Sequence, residues 1–396
     1  MRIVEINSMN FGSTGKIMLG IAEIANKEGH EIWTFNPAGR TQKKNIINNY
    51  TIGNRYERFI SSKINYYTGR EGSLNLYGTY KFLAELNEIK PDILHIHNLH
   101  SNYINLEMLF EYINKNDIKT VWTLHDCLPF TGHCPYFDIV ECEKWKNGCY
   151  SCPMVHEYPE TRWDNSEKEY GRKKNLFTSV SDMTIVTPSN WLADLVKQSF
   201  LKVYPVKIIF NGIDMNVFKP RNSDFRRKNK LEKKFIILGV AFSWGYRKGL
   251  DRFEKLAELI DNRFQIVLVG IDKESVKSKK IMCIKRTDNQ KQLSEIYSAS
   301  DVLLNPTRED NFPTVNIEAM ACGTPVLSYG AGGSAEAFDE KSGAVVSDDT
   351  IITTLERLYE KNFDKNDCTR RGNEFDQNRK FKEYLELYKM LEKSDL

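Results

Sequence analysis

The chain has 396 residues, more than one ordinary core takes up, so two domains are expected. Hydrophobic residues make up 41% and aromatic residues 12%, enough for each half to bury a core, while 56 Lys plus Arg against 53 Asp plus Glu leave a net charge of +3. That near-neutral balance does not by itself suggest nucleic acid, and no nucleic-acid partner is expected. With no basic region before a long apolar core at the N-terminus and no run of eighteen apolar residues, a soluble cytoplasmic protein is expected.

Short apolar runs alternate with helical patterns, as in parallel strands joined by crossover helices. The first half reads RIVEIN, EIWTFNP, DILHIHN, KTVWTLH and MTIVTPS, with amphipathic stretches such as IMLGIAEIANKEGH between them. NFGSTGK, from Asn10 to Lys16, follows the first strand and opens the first helix. Gly12, Ser13 and Gly15 let backbone approach a ligand, and a helix start offers N–H groups to an anion. The segment is not a Walker loop, because Asn10 and Ile17 stand where a Gly and a Ser or Thr are required. The same residues also suit a plain strand-to-helix turn.

DILHIHNLH sets His95 and His97 on one strand face with His100 beyond, a spacing that could ligate a metal, although single strand-end histidines are more often packed and hydrogen-bonded. VWTLHDC ends the next strand on His125 and Asp126, an imidazole and a carboxylate suited to orienting a hydroxyl. Cys127, Cys134, Cys142, Cys149 and Cys152 follow in one loop, with spacings x6, x7, x6 and x2. Cys134, Cys142, Cys149 and Cys152 could close a structural zinc site; free buried thiols are the alternative, and such local crowding fits a reducing compartment better than disulfides do.

The second half reads FIILGVAF, FQIVLVG, IMCIKR, DVLLNP and TPVLSYG. Before it lies NGIDMNVFKPRNSDFRRKNKLEKK, where turn residues and a basic run interrupt the periodicity, and the strand VKIIFNG is expected to open the second domain. The expected division is therefore residues 1–203 with a Cys-rich loop at 127–153, residues 204–375, and a lone amphipathic helix at 376–396. Open sheets of this kind take ligands at the carboxyl ends of their strands. In SWGYRKGLDRF, Arg247 and Lys248 stand at a helix start, where two cations oppose the helix dipole unless an anion lies between them. In REDNFPTVNIEAMACGTPV, Phe312 and Pro313 are read as starting a helix. Asp310 would then precede it and Glu318 lie about two turns inside, on a shared face.

With these motifs the chain resembles a family-four retaining glycosyltransferase. The α/β fold implied is GT-B: two doubly wound Rossmann-like domains facing across a cleft, the first on the acceptor side and the second binding a nucleotide sugar. EDNFPTVNIEAMACGTPV is similar to the family's two acids separated by seven residues, with Asp310 in place of the usual first Glu. TLHDCLPFTGHCPYFDIVECEKWKNGCYSCP resembles a Cys-rich subset found among bacterial exopolysaccharide enzymes, including colanic acid glycosyltransferases. The closing helix resembles the one that returns to brace the N-terminal domain.

The resemblance implies that Glu318 accepts hydrogen bonds from ribose hydroxyls and that Asp310 holds a donor-sugar hydroxyl. Asn311, Phe312, Pro313 and Thr314 would bring backbone N–H groups to the sugar or phosphates, and Arg247 with Lys248 would neutralise the leaving diphosphate. His125 would face the reacting sugar, with Gly12, Ser13 and Gly15 near the diphosphate and acceptor. One departure is that Phe242, Ser243 and Trp244 stand where the family commonly has an Arg. The implied reaction moves a sugar, with retention, from a UDP- or GDP-sugar to a glycan or polyprenyl-diphosphate-linked glycan in bacterial surface polysaccharide synthesis. It requires no cofactor for the chemistry. If the acceptor is lipid-linked, the basic and aromatic stretch NRYERFISSKINYYTGR would face an anionic membrane at the cytoplasmic face of the inner membrane; a solvated helix face is the alternative. A nucleotide-sugar epimerase of the same fold and a non-catalytic nucleotide-sugar-binding protein are the alternatives.

Overall fold

A computed structural model of the chain describes residues 1–40 and 48–393. The chain divides into two compact units, Met1–Phe210 with the residues from Lys380 onward, and Asn211–Arg379. The first unit is built on β1 (Arg2–Ile6), β2 (Glu31–Pro37), β3 (Asn49–Ile52), β4 (Ile93–Ile96), β5 (Thr120–Thr123), β6 (Met183–Thr187) and β7 (Val206–Ile208). They form one sheet in the order β3-β2-β1-β4-β5-β6-β7, with every neighbouring pair parallel.

Its central strands are apolar almost throughout because helices cover both faces of the sheet. Alternate residues serve two cores: Ile3, Ile93, Val121 and Val186 on one face, and Val4, Leu94, Trp122 and Ile185 on the other. The terminal helix Gln377–Lys393 adds Phe381, Tyr384, Leu385 and Tyr388 to the first of these, a helical spacing that buries one stripe. It comes so close to the helix Gly12–Lys27 that a Cβ on Gly20 would overlap the Phe381 ring, so glycine is required there.

The second unit contains β8 (Phe235–Val240), β9 (Phe264–Val269), β10 (Ile281–Ile284), β11 (Val302–Asn305), β12 (Val326–Ser328) and β13 (Gly343–Val345). The order is β10-β9-β8-β11-β12-β13, again parallel throughout. In each sheet the strand order reverses beside its first strand, between β1 and β4 and between β8 and β11. The connecting loops diverge there and open a crevice at the carboxyl ends of the strands.

Two expectations about elements are corrected. VKIIFNG does not open the second unit: Val206–Ile208 pairs with β6 at the edge of the first sheet, and the units part between Phe210 and Asn211 instead of at 203/204. The edge strands β3 and β13, four and three residues long, are additional to the expected series.

Candidate active site

In the second unit, the chain leaving β8 turns at Gly249 into the helix Leu250–Leu259. Gly249 has φ 73°, and a Cβ there would overlap the carbonyl of Pro306, so only glycine lets this turn lie against the loop after β11. The contact fixes the basic pair. Arg308 N–H and the Thr307 hydroxyl donate to the Arg247 carbonyl at 2.8 and 3.2 Å, and the Arg247 guanidinium donates to the Glu309 carbonyl at 3.0 Å. Lys248 Nζ reaches Asp310 Oδ2 at 2.5 Å, with both side chains mostly buried. Arg308 stacks 3.7 Å over the Tyr246 ring and makes two bonds to Asp251, at 2.8 and 2.6 Å, which stiffens the same loop. Lys248 and Asp310 thus meet at the β8/β11 crevice.

The helix after this loop is Thr314–Ala321, and Pro313 is the residue before it. Asp310 therefore lies in the loop, and Glu318 is the fifth of eight helical residues, about one turn inside the helix where two were expected. A shared helical azimuth does not relate the two acids. What orients Glu318 is Tyr297, at the end of the helix Gln290–Ala299, whose hydroxyl donates to Glu318 Oε2 at 3.0 Å. Tyr297 is fully buried, and burial together with the neighbouring carboxylate holds its hydroxyl in the protonated, donating form. Sequence reasoning misses Tyr297, which reads only as one more apolar-face residue in QLSEIYSAS. The Asn311 to Thr314 segment is fixed by Asn211, which donates to the Phe312 carbonyl at 3.3 Å, and by Asn305, which bonds Asn316 at 3.0 Å.

In the first unit, Gly12 and Ser13 are exposed at the start of their helix, while Gly15 is buried where a Cβ would stand 2.5 Å from the Asn10 carbonyl carbon. Asn7 ties this loop to the one after β4. Its amide donates to Thr14 Oγ1 at 3.3 Å, and its oxygen accepts from the N–H groups of Ser8 and Asn98 at 2.8 and 3.4 Å. His125 follows β5 with Nε2 3.1 Å from His97 Nδ1, the two rings stacked at 13°. Burial, with His100 nearby, pushes His125 down to about 3, so the imidazole is neutral at physiological pH.

Cys134, Cys142, Cys149 and Cys152 line one small cavity. Cys134 and Cys152 share a hydrogen bond, which with burial pushes the Cys134 thiol up, and Cys149 Sγ accepts from Gly132 N–H at 3.2 Å. In a tetrahedral zinc site the sulfurs stand about 3.8 Å apart. Among the described residues no three of these thiols come within 4.8 Å of one another, so their spacing does not fit a closed zinc site. The loop is instead held by Phe137 stacked on Trp145 at 4.9 Å and by buried Lys173, which donates to the carbonyls of Leu128 and Thr131 at 3.0 and 3.2 Å.

The sequence model of Glycosyltransferase Family 4 matches residues 16–217, and that of Glycosyl transferases group 1 matches residues 232–361. The glycosyl transferase WcaC of Escherichia coli (strain K12), assigned to colanic acid biosynthesis, is 27% identical over 278 residues, covering 67% of this chain and 66% of that one. The first curated relatives are matched over between 60% and 66% of their own length. Among solved structures, sucrose-phosphate synthase from Thermosynechococcus elongatus has a TM-score of 0.71 at 15% identity, covering 98% of both chains. Anabaena HepE in complex with UDP has a TM-score of 0.65 at 14% identity, covering 98% of this chain and 100% of that one. The fold they share is the GT-B fold of glycosyltransferases. Since the family match takes in more than half of the 396 residues, the chain belongs to Glycosyltransferase Family 4.

Proposed function

We propose that the protein moves a sugar, with retention of anomeric configuration, from a UDP- or GDP-sugar to a glycan acceptor in bacterial surface polysaccharide synthesis. The observation that carries this reading is the meeting of Lys248 and Asp310 at the β8/β11 crevice, with Glu318 on the helix that follows. A cation held by a carboxylate can turn toward a diphosphate, and its attraction grows as the sugar–phosphate bond breaks. Glu318, oriented by Tyr297, is suited to accept from two vicinal hydroxyls of a ribose. In the retaining reaction a diphosphate oxygen takes the acceptor's proton on the face from which the diphosphate leaves, so the protein supplies position and charge without a side-chain nucleophile. His125 has the neutral imidazole needed to orient a hydroxyl of the reacting sugar. The assignment to polysaccharide synthesis leans on the likeness to WcaC, and the donor class on HepE having been solved with UDP.

A thermal-shift series with UDP-, GDP- and ADP-sugars tests the donor. One nucleotide series is expected to stabilise the protein by about 2.7 kcal/mol at a hundredfold excess over its dissociation constant. A melting curve that none of them moves would sink the reading.

A polyprenyl-linked acceptor would bring the enzyme to the inner-membrane face. The helix Arg55–Thr68 exposes Tyr56, at 83%, with Phe59 and Ile60, and the adjoining helix Leu76–Ile89 exposes Tyr77 and Tyr80. Arg55, Lys63, Arg70 and Lys81 are exposed among these rings. Aromatic side chains amid lysine and arginine suit an anionic headgroup layer, where each cation near the surface contributes about 1 kcal/mol. Among the described residues no helix is long and apolar enough to cross a membrane. Sedimentation with anionic vesicles is expected at low salt and release at high salt; binding that ignores ionic strength, or no binding at all, removes this surface from the proposal.

A further inference from the structure

Behind His125 lies a cluster of polar groups from three adjacent strands and the terminal helix. Glu5 of β1 lies beside His95 of β4 in the parallel register, with His97 two residues on, Thr123 at the end of β5, and Tyr384 and Tyr388 above them. Glu5, His95 and His97 are all buried and bring three ligand atoms within 4.8 Å of one another. A metal is a poor occupant, because both His95 nitrogens are engaged: Nδ1 with the Tyr388 hydroxyl at 2.7 Å and Nε2 with Thr123 Oγ1 at 2.8 Å. Too few donors remain to complete a coordination shell. Glu5 and His97 are in a different position. The Glu5 carboxyl lies against the Tyr388 hydroxyl and 3.5 Å from His95 Nδ1, while its Oε2 stands 3.9 Å from His97 Nε2, a buried nitrogen that makes no hydrogen bond of ordinary length. The other His97 nitrogen meets His125.

We propose that Glu5 and His97 are positioning residues that decide which ring nitrogen of His125 carries its proton. This rests on the role given to His125 above. Burial raises Glu5 well above its ordinary range, and it lowers His97 well below and His125 to about 3, so both imidazoles are neutral at physiological pH. A neutral imidazole has one donor and one acceptor nitrogen. Hence one proton lies between His97 Nδ1 and His125 Nε2, and the side His97 presents to His125 is set by the side it presents to Glu5. Tyr388, Tyr384 and His95 also face Glu5, and His100 lies beside His125. The arrangement needs no net proton transfer. It fixes a tautomer, and with it whether His125 donates or accepts toward the sugar.

The test is nitrogen-15 NMR of the imidazoles in the full chain, run alongside kinetics. The unmutated protein is expected to show His125 as one tautomer. His97→Phe and Glu5→Leu are expected to give a mixed or inverted tautomer, and kcat lower by about tenfold or more with donor affinity unchanged. Glu5→Gln keeps a donor and an acceptor toward His97, so it is expected to retain the single tautomer. An unaltered His125 tautomer in His97→Phe or Glu5→Leu overturns the proposal. If the tautomer changes but His125→Ala turns over normally, the role given to His125 fails and the positioning chain stands.

Discussion

Lys248→Ala is expected to lower kcat about 10²- to 10³-fold, the loss seen when one preorganised donor to developing negative charge is removed. The physical reason is the timing of the charge. In the ground state the diphosphate shares its charge with the sugar bond; as that bond breaks, the charge concentrates on the departing oxygens, and a fixed ammonium gains most at that moment. Lys248 is held for this by Asp310 at 2.5 Å, and the turn that presents it depends on the close approach of Gly249 to Pro306.

The same substitution also leaves a mostly buried Asp310 without its cation, at a cost of about 1–3 kcal/mol in stability. Activity and stability can be separated with a second change. Lys248→Ala with Asp310→Ala removes both charges, so the melting temperature is expected to recover while kcat stays low. If stability and turnover recover together, Lys248 serves only to anchor the loop. Lys248→Arg preserves the charge and is expected to lie between the single variant and the unmutated chain.

The central strands are legible from sequence for a definite reason. A sheet covered on both faces demands short runs rich in apolar and β-branched residues, and RIVEI, TVWT and MTIVT are such runs whatever their neighbours. Edge strands lack that demand. Asn49–Ile52 and Gly343–Val345 are short, retain exposed positions, and are held by backbone bonds to β2 and β12 that no side chain announces. Val206–Ile208 is apolar enough to be read as a strand, but its partner is a matter of tertiary pairing, and the turn-rich NGID beside it suggests the wrong half.

The site divides in the same way. Lys248 and Asp310 are nameable from motif resemblance, yet their contact across 62 residues follows only from β8 lying beside β11. Tyr297 is illegible because nothing in a helical pattern says which buried tyrosine will face a carboxylate 21 residues later. Glu5 is a further case: RIVEIN reads only as a strand, and the histidines its carboxylate faces follow from β1 lying beside β4.

Glu318→Ala is expected to weaken donor binding by about 1.5 to 3 kcal/mol, the usual contribution of hydrogen bonds to a charged acceptor, or about 10- to 150-fold in dissociation constant. The substitution also strips Tyr297 of its partner, and a fully buried hydroxyl left unpaired destabilises the fold by about 1–3 kcal/mol. Weaker binding alone could therefore report a loosened helix. Tyr297→Phe separates the two effects, because it removes the hydroxyl that orients the carboxylate but keeps the carboxylate itself. Donor titrations are expected to show a small loss for Tyr297→Phe and the full loss for Glu318→Ala. The difference should disappear for a ligand that lacks the ribose hydroxyls, since no acceptor is needed where there is no donor. Equal titrations for Glu318→Ala and the unmutated protein would place the ribose elsewhere. Equal losses in the two variants would make Glu318 a structural partner of Tyr297, leaving nucleoside recognition to other residues of the β8/β11 crevice.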